Sequence, residues 1–82
     1  MRRDARRPNR TVVERVVETV ASERKVEVSA LFGMHIDPAA IAARRECYRR
    51  VIDQTGCSVK GLAKVWGCDH QSIRRALLKV AA

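Results

Sequence analysis

The sequence predicts an all-α fold: a compact bundle of four to five helices over residues 11–82, preceded by a disordered basic arm over residues 1–10. Three observations predict it. Apolar residues recur at three- and four-residue intervals in several segments, the period of a helix that buries one face. Helix starts and stops are written as Asp37-Pro38, Gly56, Ser58 and Gly67. Only Val26, Val28, Ala30 and Phe32 alternate as a strand does, and one strand without a partner leaves its backbone groups unpaired. At 82 residues there is room for one domain with a small core.

The segment MRRDARRPNR is too polar to bury anything and reads as the arm. Thr11 followed by Glu14 is a capping box, and Val12, Val13, Val16, Val17, Val20 and Ala21 follow on one face, so a first helix is predicted over 12–23. Its outward Glu14, Arg15, Glu18 and Glu23 form a solvated face. A turn and a short helix capped by Ser29 and ended by Gly33 come next, with Leu31 and Phe32 as core plugs, and Met34 and His35 in a loop. Asp37 caps a long helix with Pro38 at its first position, running to about Gln54 and stopped at Thr55-Gly56. That helix buries Ile41, Ala42, Cys47, Tyr48, Val51 and Ile52 and turns Arg44, Arg45, Arg49 and Arg50 largely outward. The arginines read either as a phosphate-tracking stripe or as a charged surface offset by Glu46 and Asp53.

Ser58 caps a short helix to about Trp66, and Gly67 stops it, since glycine enters the left-handed region without steric cost. Trp66 anchors the angle between this helix and the next. Asp69 can cap the last helix, whose Ile73, Ala76, Leu77, Val80 and Ala81 share a face opposite His70, Gln71, Arg74, Arg75 and Lys79. Two short helices at a glycine turn, the second with polar and basic groups outward, are the pattern of a helix-turn-helix.

Charge sharpens this reading. The chain has 17 Lys and Arg against 9 Asp and Glu, a formal +8, with a pI near 10.5. Residues 1–10 carry +4, residues 11–58 are neutral with seven groups of each sign, and residues 59–82 carry +4. The excess sits in the arm and the last two helices, which points to a polyanionic partner, double-stranded DNA. The arm has two readings: a solvated tail, or Arg2, Arg3, Arg6, Arg7 and Arg10 contacting phosphates or a minor groove.

From Val12 to Val80 the sequence resembles the C-terminal DNA-binding domain of the bacterial replication initiator DnaA. The likeness is carried by Ala42-Ala43-Arg44-Arg45, by Ser58-Val59-Lys60-Gly61-Leu62-Ala63, and by Trp66-Gly67-Cys68-Asp69-His70-Gln71-Ser72-Ile73. The resemblance implies that Asp69, His70, Gln71 and Ser72 open a recognition helix and touch bases. The family's basic loop before the long helix has no counterpart in Met34 to Ala39, and Gln71-Ser72 replaces its threonine pair. A DNA site other than the family's nine-base box is therefore expected. No glycine-rich phosphate loop is present.

Residue chemistry supports the same assignment independently. Asp69 suits a cytosine amino group or an N-cap, Gln71 suits adenine, and Arg74 or Arg75 suits guanine; His70 and Ser72 are adaptable contacts. Arg45, Ser58, Lys60, Lys64 and Lys79 are assigned to phosphates, which set affinity and register. Cys47, Cys57 and Cys68 lack the short spacing of a zinc site. No nucleophile with an activating base is evident, so neither enzyme activity, cofactor nor small-molecule substrate is expected.

No apolar run suggests a membrane span, and an odd cysteine count without a signal-peptide pattern suggests a reduced, cytoplasmic, nucleoid-associated setting. The expected role is a bacterial or phage transcription regulator. One rival is a DNA-binding module of a replication or transposition factor; another is a helical adaptor for RNA polymerase or a replication protein.

Overall fold

The computed structural model describes residues 7–33 and 37–80, with side chains as far as residue 78. Five helices occupy them: α1 (Arg10–Arg24), α2 (Val28–Phe32), α3 (Pro38–Thr55), α4 (Val59–Trp66) and α5 (His70–Val80). Among the described residues there is no strand, so the all-α expectation holds. The assignments of Arg2, Arg3, Arg6, Met34, His35 and Ala81, and the disordered character of residues 1–6, lie outside the described residues.

Helix α1 starts earlier than the Thr11 capping box predicts. Asn9 is the N-cap, its Oδ1 accepting from the Thr11 N–H at 2.8 Å, and asparagine outranks threonine at that position. Arg10 therefore belongs to a helix rather than to the arm, and Pro8 is buried despite the polarity around it. The helix ends on Lys25, left-handed at φ 56°, with the Lys25 and Val26 N–H groups both donating to the Ala21 carbonyl. Val13, Val16, Val17, Val20 and Ala21 are buried, and α1 packs chiefly on α3.

On α3 the buried face is Ala40, Ala43, Cys47, Tyr48 and Val51; Ile41, Ala42 and Ile52, expected in the core, are only half-buried. Three of the five buried residues, Ala40, Ala43 and Cys47, are small, and short side chains let a long helix pack closely on its neighbours. Pro38 is at the start as predicted, but the Asp37 side chain makes no capping bond.

Helix α2 begins at Val28 after Glu27, so Ser29 lies inside it rather than capping it. Leu31 is fully buried as expected, whereas Phe32 is 41 % exposed and is not a core plug. A five-residue helix leaves most of its carbonyls without internal partners, and here other helices supply the donors. Arg44 reaches from α3, its Nε donating to the Leu31 carbonyl at 3.2 Å and its Nη2 to the Ala30 carbonyl at 3.1 Å. Trp66 reaches from α4, its Nε1 donating to the same Leu31 carbonyl at 2.9 Å. The indole ring lies edge-on to Tyr48 at 5.0 Å and tilted on Phe32 at 4.8 Å. Trp66 is thus a core anchor, as predicted.

Two of the four α3 arginines are used within the fold. Arg44 holds α2, and Arg50 donates to Glu46 at 2.8 Å and to Glu23 of α1 at 2.9 Å. The reading of all four as an outward stripe is corrected accordingly; Arg49 is exposed.

Burial pushes the Cys47 thiol from its ordinary value up to about 12. Tyr48 is raised as well, by burial first. A thiol that stays protonated in the folded chain contributes stability that is intact below the unfolded pKa and is lost as pH rises toward the folded one. Urea unfolding is therefore expected to show stability falling above pH about 9, by about 1.4 kcal/mol per pH unit for each suppressed proton. Cys47→Ala, though less stable at pH 8, should show a shallower alkaline decline; parallel pH curves for both chains would refute the assignment.

Candidate nucleic-acid interface

Helices α4 and α5 are separated by three residues, Gly67, Cys68 and Asp69. The Ser58 Oγ accepts from the Gly61 N–H at 2.9 Å and caps α4. At the other end Gly67 is left-handed, φ 80°, and the Gly67 and Cys68 N–H groups both donate to the Ala63 carbonyl, at 2.8 and 3.1 Å. The Asp69 carbonyl then accepts from the Ser72 N–H at 3.0 Å as α5 begins. Tyr48 of α3 and Cys68 of the turn line one depression, which sets the turn beside α3. Burial raises the pKa of Cys68.

Ser58→Ala is expected to remove about 1 kcal/mol of stability, which thermal melting followed by circular dichroism would register as a midpoint about 4–8 °C lower. An unchanged midpoint would mean that the cap contributes nothing.

The buried faces of the two helices join one core. Leu62 and Ile73 are fully buried, and Ala63 and Trp66 nearly so, while Ala76 and Leu77 pack against them half-buried. Burying Ile73 turns the opposite side of α5 outward, where Gln71, Ser72, Arg74 and Arg75 are exposed and His70 is partly so.

The predicted site residues fall into three groups. His70 and Asp69 share a shallow depression with Lys60 and Lys64 of α4. The Asp69 Oδ1 lies 3.6 Å from the His70 Nδ1. Ser72 and Arg75 line a groove on the other flank, with Ile41, Arg44 and Tyr48 of α3. Gln71 and Arg74 lie between the two flanks and are exposed.

Other assignments sit apart. Arg10 lines a depression with Val13, Glu14, Phe32 and Val65, beside α2 and α4. Arg7 is exposed just ahead of it. Arg45 is half-buried, its Nε enclosed and without a hydrogen-bond partner among the described residues. The side chains of Lys79 and Val80 lie outside the described residues. The sequence reading missed Arg44 and Tyr48 as neighbours of α5, because they are more than 20 residues from it and only the folded chain brings them together.

Arg50 is paired with two carboxylates, whereas among the described residues no carboxylate lies within ion-pair distance of Lys60, Lys64, Arg74 or Arg75, and the same is true of Arg15, Arg24, Lys25 and Arg49 elsewhere on the surface. The one acid beside them, Asp69, is 67 % exposed and faces His70.

The chain matches no protein-family model, no curated protein and no solved structure. The three cysteines are free thiols, and no cluster of three metal-ligating side chains occurs among the described residues. No described helix is long and apolar enough to cross a membrane.

Proposed function

We propose that this chain binds double-stranded DNA sequence-specifically, with α4 and α5 acting as a helix-turn-helix and α5 lying in the major groove, and that it serves as a bacterial or phage transcription regulator. The observation that carries the reading is the positive charge left without internal partners on the outward sides of these two helices, at Lys60, Lys64, Arg74 and Arg75. Cations that form no ion pair within their own chain suit a polyanion site. The three-residue glycine turn and the resemblance of Asp69 to Ser72 to the DnaA recognition helix support the same reading.

On this reading Lys60 and Lys64 hold phosphates beside the start of α5, and Gln71 and Arg74 face base edges. Ser72 and Arg75 meet the strand that passes the α3 side. The protein acts by binding rather than catalysis.

Titrating a fluorescent duplex of mixed sequence at low salt tests it. Saturable binding is expected, since even non-specific complexes of this kind form in the range of about 10⁻⁴–10⁻⁶ M; no anisotropy change at high micromolar protein would overturn the proposal. Selection from a random duplex pool then identifies the site, a palindrome marking a dimer and an asymmetric box a monomer.

A further inference from the structure

Of the large hydrophobic side chains exposed among the described residues, Leu78 stands clearest of the fold, at 69 % exposure against 42 % for Val28 and 41 % for Phe32. Phe32 stacks on Trp66, so its exposure is that of a residue half used by the fold. Leu78 follows Gln71 by seven residues, Arg74 by four and Arg75 by three, spacings that put all four side chains on one stripe of a helix. It lies nearly opposite the fully buried Ile73, at the centre of the outward face. An apolar side chain there, flanked by two unpaired guanidinium groups, gains nothing from water and contributes nothing to the core.

We infer that Leu78 is a specificity residue that packs against the 5-methyl group of a thymine in the major groove. The inference rests on the DNA-binding reading above and names a base that reading leaves open. Thymine is the one base that presents a methyl group in that groove, and apolar side chains recognise it by contact. Arg74 and Arg75 select the partner: they attract a phosphate-lined groove and repel the same face of a second copy. Seven residues of helix advance about 10.5 Å, so the thymine is expected no more than about three base steps, at about 3.4 Å each along the DNA axis, from the base met by Gln71.

Deoxyuridine differs from thymidine only by that methyl group, so it isolates the contact. In a duplex carrying the selected site, each thymine is replaced in turn by deoxyuridine, and binding of the full chain is compared with that of Leu78→Ala. The wild-type chain should lose roughly fourfold in affinity at one thymine, the effect of burying one methyl-sized group. Leu78→Ala should bind the thymine and uracil duplexes alike. Because Leu78 is largely in water, its thermal midpoint should match the wild type. If no thymine responds, or the variant keeps the wild-type response, the inference fails while DNA binding stands. A lower sedimentation mass for Leu78→Ala than for the wild type would assign the residue to a second copy instead. Absence of any duplex binding would fell both readings together.

Discussion

Raising salt from about 50 to about 200 mM is expected to weaken duplex binding by roughly 40-fold, from a log–log slope near −2.7 for about three phosphate contacts. The contacts counted are Lys60, Lys64 and Lys79, since Arg45 sits apart with its Nε enclosed. Each neutralised phosphate releases condensed counterions, so the slope counts cations at the backbone irrespective of base sequence. Lys60→Ala should lower affinity for every duplex by a similar factor and make the slope shallower by about 0.9. Gln71→Ala and Arg74→Ala should instead reduce the preference for the selected site over scrambled duplexes, each by about 1–3 kcal/mol, with less change in slope. Equal losses on all sequences for all three variants would contradict this division of roles.

The division follows from position. Lys60 is on α4 and shares a depression with Asp69 and His70 at the entry to α5, whereas Gln71 and Arg74 are exposed on α5 itself. Removing residues 1–6 adds a further count. If the arm contacts phosphates, its loss makes the slope shallower; an unchanged slope would remove the arm from the interface.

Trp66→Ala is expected to destabilise the chain by about 3–5 kcal/mol, against a total for a domain of this length of about 4–12 kcal/mol. The variant should be largely unfolded or melt tens of degrees lower by circular dichroism. Trp66 is 6 % exposed, contacts the rings of Phe32 and Tyr48, and donates to the Leu31 carbonyl, so one side chain joins α2, α3 and α4. Its loss leaves a cavity at the joint and removes a donor from a helix too short to satisfy itself.

Trp66→Phe separates the two effects. The ring remains, and the Leu31 carbonyl keeps its bond from the Arg44 Nε at 3.2 Å, so about 1 kcal/mol from the lost hydrogen bond, plus a smaller packing term, is expected. A loss from Trp66→Phe as large as that from Trp66→Ala would place the importance of the residue in the indole N–H. Near-native stability of Trp66→Ala would deny the joint altogether.

Local signals made much of this fold legible. Ser58, Gly56 and Gly67 announced their boundaries because caps and left-handed stops depend on one residue's own chemistry, and the structure uses each of them as such. The valine stripe of α1 and the Ile73 face of α5 were legible because amphipathic period is also local. The sequence reading failed where two local signals competed or where a partner was remote. Asn9 displaced Thr11 as a cap, and Lys25 took a left-handed stop that no glycine marks. Phe32 was misplaced because an aromatic residue can be apolar and still half-exposed at the edge of a ring cluster.

The candidate site divides in the same way. By itself the sequence determined that positive charge concentrates near the last two helices, that a glycine turn joins them, and which residues of α5 oppose its apolar face. Only the tertiary structure decided which cations remain available. Arg44 and Arg50 are drawn inward by carbonyls and carboxylates from α2, from α1 and from α3 itself, while Lys60, Lys64, Arg74 and Arg75 meet no such partner among the described residues. Pairing of a charge depends on distances between helices, and side-chain period along one helix does not contain them.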